Sequence, residues 1–216
     1  MYDLHFATIA LIAANILVSI KGFNDNSFFE RYKFNISAIN GGQKERLVTS
    51  GFLHVDMAHL FFNMFTLYFF ANVVIRWFGP GKFIGIYLAS LLAGSLFGVF
   101  FHKNEPQYSA VGASGAVIGV LYAAILLQPG MDLFLMFIPI PIPAYVVGIG
   151  YLLYSIYGMK SRAGNIGHTA HFGGAIGGFA LTLLFQPDLI FTQTLMVGLL
   201  AIPIVILFVM QKMGKI

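Results

Sequence analysis

The 216-residue chain contains no cysteine, which excludes disulfides, iron–sulfur clusters and thiol catalysis. Charge is scarce too. Only 9% of the residues are Asp, Glu, Lys or Arg, against about 25% in an average soluble domain. With 58% of the residues hydrophobic, there is too little polar side chain to clothe a soluble fold. No His-Glu-x-x-His segment is present, which removes the usual zinc-hydrolase arrangement. The first twenty residues lack both a basic leading region and a small-residue cleavage site, so they read as a first membrane span and not a removable signal. In such a chain the net charge of +4 reflects basic residues near lipid headgroups and implies no nucleic-acid partner.

What the sequence does contain is apolar blocks of the length a hydrocarbon core about 30 Å thick requires. The first runs from Leu4 to Ile20. A polar stretch of roughly residues 21–57 follows and carries nine of the twenty charged residues. Within it Phe23, Phe28, Phe29, Tyr32 and Phe34 are placed to anchor short helices at the membrane interface. Further spans are predicted at about 58–75, 82–101, 112–127, 144–157 and 168–185, with an additional C-terminal span at about 189–210. Three prolines in Ile138-Pro139-Ile140-Pro141-Ile142-Pro143 forbid a regular helix there. The expected fold is an all-α polytopic bundle in one domain over 1–216, with a six-helix core at about 4–186 and a seventh helix. Glycines four apart (Gly94 and Gly98, Gly115 and Gly119, Gly173 and Gly177, Gly174 and Gly178) allow helix backbones to approach closely.

Polar side chains at membrane depth are costly. Four stand near the starts of the second, fourth and sixth spans: His59, Asn63, Ser114 and His171. Successive spans alternate in direction, so the even-numbered ones start on one side of the membrane and the four residues gather at one face. Singly, each has a structural reading. A helical serine bonds its own backbone, and His59 and Asn63, four apart on one helical face, form an interhelical hydrogen-bond pair. As a set they suit acyl transfer, with Ser114 as nucleophile and His171 as base. His59, Asn63 and the Ser114 backbone N–H then serve as oxyanion donors. Every Asp and Glu lies in a loop or at a span end, so a Ser–His dyad is expected without a third carboxylate. A helix from Ser114 to Leu127 extends only about 20 Å, which places Ser114 below the surface in a water-filled cavity, with loop 102–113 dipping inward.

These residues resemble the rhomboid family of intramembrane serine proteases over roughly residues 50–180. His54-Val55-Asp56-Met57-Ala58-His59-Leu60-Phe61-Phe62-Asn63-Met64 is similar to the segment that opens the family's second helix. Gly112-Ala113-Ser114-Gly115 matches its GxSG motif, and Ala170-His171-Phe172-Gly173-Gly174 its sixth-helix histidine. The resemblance implies a serine endopeptidase that cleaves single-span membrane proteins and uses no metal or other cofactor. Ser114 and His171 would be catalytic, His59, Asn63 and Ser114 would bind the oxyanion, and His54 would be structural. Substrate would enter laterally beside the fifth helix, under loop 158–167. Partners are then single-span substrates and membrane lipids; the sequence does not set an oligomeric state.

The chain departs from the family pattern in three places. Ile118 stands where the family often stacks Tyr or Phe on the imidazole. No Glu closes the second helix at Ile75-Arg76-Trp77. Ten of the twelve Lys and Arg residues fall on the loops of the active-site face, which the positive-inside rule would put in the cytoplasm. The family places that face outside, and the expectation follows the family: the site opens to the extracytoplasmic side. The lack of a transit-type N-terminus points to a bacterial cytoplasmic membrane. Two other readings stay open, an inactive rhomboid-like protein that binds membrane helices and a membrane transporter. A haem carrier would need histidines facing each other across spans, whereas His59 and His171 start on one side.

Overall fold

A computed structural model describes residues 5–134, 140–161 and 167–216. Its helices are α1 (Phe6–Asn24), α2 (Asn26–Tyr32), α3 (Ile36–Asn40), α4 (Arg46–Thr49), α5 (Met57–Phe101), α6 (Ser114–Leu127), α7 (Ala144–Ser161), α8 (His168–Phe185), α9 (Leu189–Thr192) and α10 (Thr194–Lys212). Four very short strands pair two by two. β1 (Phe34–Asn35) joins β2 (Ser109–Ala110), and β3 (Asp132–Phe134) joins β4 (Pro141–Pro143). The architecture is the helical membrane bundle expected from the apolar blocks.

α5 is two helices in one. At Gly79 the backbone turns to φ 76°, ψ 169°, a conformation that glycine adopts without a Cβ penalty. Pro80 reinforces the break, because a proline disfavours helical geometry in the residue before it. The chain reverses here. Gly112, just ahead of α6, lies against His59 near the start of the first limb. His102, just past the second limb, reaches Thr169 at the start of α8. At the opposite end Phe78 meets Phe185, the last residue of α8, with ring centroids 5.7 Å apart. Two membrane-crossing limbs, 57–78 and 80–101, therefore replace one helix too long for a bilayer.

α6 stands in the middle. Every residue from Gly115 to Leu127 is buried, as expected of a helix apolar on all sides. α5 and α8 enclose it at backbone distance, because the contacts are glycines. A Cβ on Gly174 would fall on the Gly115 carbonyl, and one on Gly178 on the Gly119 carbonyl. A Cβ on Gly115 would come to 3.0 Å from the Ala170 carbonyl oxygen. That last contact brings Ser114 and His171 together, since they are the neighbours of Gly115 and Ala170 in the sequence.

Several boundaries differ from the sequence reading. α1 continues past Lys21-Gly22 to Asn24. Lys21 ends no span there, since its ammonium pairs with Asp25 at 2.7 Å one turn on. α7 extends to Ser161, so residues 158–161, expected in a covering loop, are helical; 162–166 lie outside the described residues. Phe34 is not an interfacial anchor. It is buried with Ile36 and Ile39 in a small second core under the first loop, because pairing of β1 with β2 turns it inward. The remainder of that loop is folded and tied down. Buried Arg46 donates to the Glu30 and Lys33 carbonyls at 2.9 and 2.7 Å, and Ser95 of α5 donates to Leu47 O at 2.7 Å. Of the proline-rich stretch, 135–139 lie outside the described residues, and Pro141–Pro143 form β4.

Candidate active site

Ser114 is the first residue of α6, where the backbone N–H has no acceptor inside the helix. The glycine loop ahead of it is fixed from two sides. Gly112 N–H donates to Ser50 O at 3.0 Å, and Ala113 N–H donates to His54 Nε2 at 3.4 Å. Gly112 has φ 130°, and a Cβ there would come to 2.6 Å from His59 Cε1 and 2.8 Å from Nε2. Both backbone conformation and space therefore require glycine at this position.

His54 is fully buried and belongs to a directional chain. The Ser19 hydroxyl donates to Phe52 O at 2.9 Å and lies 2.8 Å from His54 Nδ1. A hydroxyl has one hydrogen. With that hydrogen on Phe52 O, Ser19 accepts from His54 Nδ1–H, which leaves Nε2 to accept from Ala113. Burial, and secondarily the neighbouring His59, pushes the His54 imidazole down to about 3. The ring is thus a neutral strut from α1 to the loop that precedes Ser114.

Across the Gly115–Ala170 contact, His171 Nε2 lies 2.7 Å from Ser114 Oγ. The imidazole is nearly fully buried, and Tyr151 of α7 approaches its other side. Tyr151 Oη is 3.0 Å from Nδ1 and 3.5 Å from Nε2, with ring centroids 5.2 Å apart. Sequence reasoning missed Tyr151. Its signal was a tyrosine hydroxyl in mid-span, which needs a partner as much as a serine does.

The other two candidates line the same space. Asp56 caps the first limb of α5 by accepting from His59 N–H at 2.7 Å. That cap places the imidazole of His59 against Gly112; its Nδ1 is buried with no hydrogen-bond partner among the described residues. Asn63 Nδ2 donates to His59 O at 3.1 Å, which leaves one amide hydrogen for the cavity. His59, Asn63, Ser114 and His171 all border one cavity of about 1230 Å³. It lies between the first limb of α5 (Phe62, Phe65, Phe69), α6 (Val117, Ile118) and α7 (Val147, Tyr151). Among the described residues no group of three His, Asp or Glu is placed to hold a metal ion.

A serine at a helix start, a histidine in hydrogen-bond contact with it, and imidazole and amide groups around an apolar groove are the kinds of group that acyl-transfer chemistry uses. The comparisons with known proteins agree with that architecture. Residues 41–188 match the rhomboid domain. RHOMBOID-like protein 12, mitochondrial, of Arabidopsis thaliana is 32% identical over 77% of this chain and 54% of its own length. Rhomboid protease GluP of Bacillus subtilis is 35% identical over 66% of this chain and 26% of its own. Inactive RHOMBOID-like protein 8 of Arabidopsis thaliana is 38% identical over 37% of this chain and 23% of its own. The chain thus spans about half the length of the first relative and about a quarter of the other two. The relatives' names include mitochondrial and bacterial proteins, which gives the narrower expectation of a bacterial cytoplasmic membrane no support. With more than half of its length matched by that domain, the chain is an integral membrane protein that belongs to the rhomboid family.

Proposed function

We propose that this protein is an intramembrane serine endopeptidase that cleaves single-span membrane proteins through Ser114 and His171. The observation that carries the reading is the 2.7 Å contact between Ser114 Oγ and His171 Nε2 at the wall of a groove large enough for a peptide segment. An inactive, helix-binding member would be expected to lack one of the pair or to hold them apart. Here both are present and in contact.

In this mechanism Ser114 Oγ attacks the scissile carbonyl carbon as its proton passes to His171 Nε2. The oxyanion accepts hydrogen bonds from Ser114 N–H, Asn63 Nδ2 and His59. The imidazolium then gives its proton to the leaving amine, the C–N bond breaks, and an acyl-enzyme ester remains on Ser114. Water repeats the sequence: His171 takes its proton, hydroxide adds to the ester carbon, and Ser114 Oγ leaves with the proton returned to it. Substrate reaches the groove from the side, between the first limb of α5 and α7, with the active-site end of the bundle facing the extracytoplasmic side.

The test uses purified protein in detergent with EDTA and a fluorogenic single-span substrate. Wild type cleaves, whereas Ser114→Ala and His171→Ala do not. Asn63→Ala is slowed by about 10²–10³-fold, the usual cost of losing one oxyanion donor. Substantial turnover by Ser114→Ala would refute the mechanism.

A further inference from the structure

The groove that Ser114 borders runs on toward the far end of the bundle. Its lining follows the first limb of α5 from His59 to Phe70, a rise of about 16 Å, and its other end is bordered by Asp132 and Leu133 of β3. That strand lies where α6 finishes and α7 begins. Asp132 is in register with Pro143, and Met131 O accepts from the N–H of Ala144, the first residue of α7, at 2.8 Å. Four residues into α7, Gly148 O accepts from Tyr122 Oη on the lower half of α6 at 3.2 Å. Ser114 and Asp132 are therefore separated by nearly the whole of α6, about 16–20 Å. A groove of that length between two helices suits the crossing part of a single-span protein as well as the residues around a scissile bond.

Two described residues with a fixed charge border the groove, one near each end. Lys33, on the Ser114 side, is already paired with Glu30 at 2.7 Å. Asp132 is exposed, and its carboxylate has neither ion pair nor hydrogen bond among the described residues. The other charged residues at that end are Arg76, Lys82 and Asp188. Lys82 stands over the rings of Phe78 and Phe185, Asp188 precedes α9, and none of the three borders the groove. A helix seated in the groove brings its own far end to Asp132. With the active-site end facing outward, that end is cytoplasmic, where single-span proteins carry an excess of Lys and Arg. We propose that Asp132 is a specificity-determining residue, selecting single-span helices that carry Lys or Arg about 11–13 residues beyond the scissile bond. A carboxylate at the same place in the substrate is rejected, so selection works by repulsion as well as attraction. This rests on the reading of the groove as the seat of a single-span substrate.

Binding and cleavage are measured separately. Three fluorescent single-span helices differ only in Arg, Gln or Glu at that position. Their Kd values are read by anisotropy against Ser114→Ala in a neutral detergent at low salt. Arg binds about 2–5-fold more tightly than Gln, and Glu about as much more weakly, the worth of one exposed charge pair; high salt narrows the spread. Asp132→Lys in the same background reverses the order, Asp132→Asn flattens it, and the thermal midpoint of each is that of the parent. Asp188→Asn removes the same charge from the same end outside the groove and keeps the order. Moving the Arg two turns nearer the bond abolishes its advantage. An unchanged order in Asp132→Lys, a flattened order in Asp188→Asn, or no binding of any helix would overturn the assignment. Cleavage of the same helices by wild type tests the underlying reading: charge-ordered binding without cleavage defeats the protease and leaves Asp132 as a selector of helices. Cleavage of all three with equal Kd defeats Asp132 alone.

Discussion

The single hydroxyl hydrogen of Ser19 decides the state of His54, and through it the pose of the nucleophile loop. Because Ser19 donates to Phe52 O, His54 must donate from Nδ1 and accept at Nε2, and protonation of Nε2 would expel Ala113 N–H. The folded imidazole titrates at about 3, whereas an unfolded histidine titrates near 6.5. Between those values the unfolded chain binds the extra proton, so the contribution is complete above about pH 6.5 and lost progressively as pH falls toward 3. The thermal midpoint of wild type in detergent is expected to drop on acidification across that window. His54→Gln should start lower at pH 7, and its midpoint should vary less with pH over the same window. Equal slopes for the two proteins would show that other groups govern acid stability. At this scale Ser114, His171, His59 and Asn63 were legible because serine, histidine and asparagine stand out in apolar spans. Tyr151 was not, since tyrosine passes as an aromatic. Its contact with His171 depends on which helix faces α8, and one-dimensional spacing does not contain that information.

Among elements, the approach of α8 to α6 controls the site. The two glycine pairs, Gly115 with Gly119 and Gly174 with Gly178, leave carbonyls where side chains would otherwise stand. Gly174→Val must therefore push α8 away from Gly115, and overpacking of this kind costs about 1–3 kcal/mol. Activity should suffer more than stability, because a displacement of about 1 Å at reacting groups can cost 10²-fold. Gly150→Ala on α7 is the control. A Cβ there would meet no described atom within 4 Å beyond its own stretch of helix, and the change should be neutral or slightly stabilising in thermal unfolding and in cleavage. If Gly174→Val cleaved at the wild-type rate, α6–α8 contact would not be what aligns Ser114 with His171. The four-residue glycine spacing was visible in the sequence, as was the Gly79-Pro80 break. Which glycine meets which carbonyl was not. The boundaries that moved, at Asn24 and Ser161, are ends where a polar residue continues a helix instead of stopping it. The inward turn of Phe34 follows from strand pairing with Ser109–Ala110, far along the chain.

For the whole molecule, two arguments about orientation point in opposite directions. By the alternation of the spans, ten of the twelve Lys and Arg residues are expected on the active-site side, which favours a cytoplasmic site. Three cations at the end of α1 and in the first loop are, however, engaged in ion pairs: Lys21 with Asp25, Arg31 with Glu45 and Lys33 with Glu30, at 2.7–2.8 Å. A fourth, Arg46, is buried against backbone carbonyls. The loop is thus a folded cap on the bundle and not an open basic tether, which favours the orientation the family implies. The absence of cysteine makes the question directly measurable. Asn104→Cys marks the active-site end and Gly81→Cys the opposite end; both positions are exposed. With each variant expressed in a bacterial host, a membrane-impermeant maleimide should label Asn104→Cys in intact spheroplasts and Gly81→Cys only after permeabilisation. The reverse pattern would put Ser114 at the cytoplasmic end. The groove would then receive helices from the other side, and the substrates of the proposed protease would be single-span proteins whose cleaved end lies in the cytoplasm.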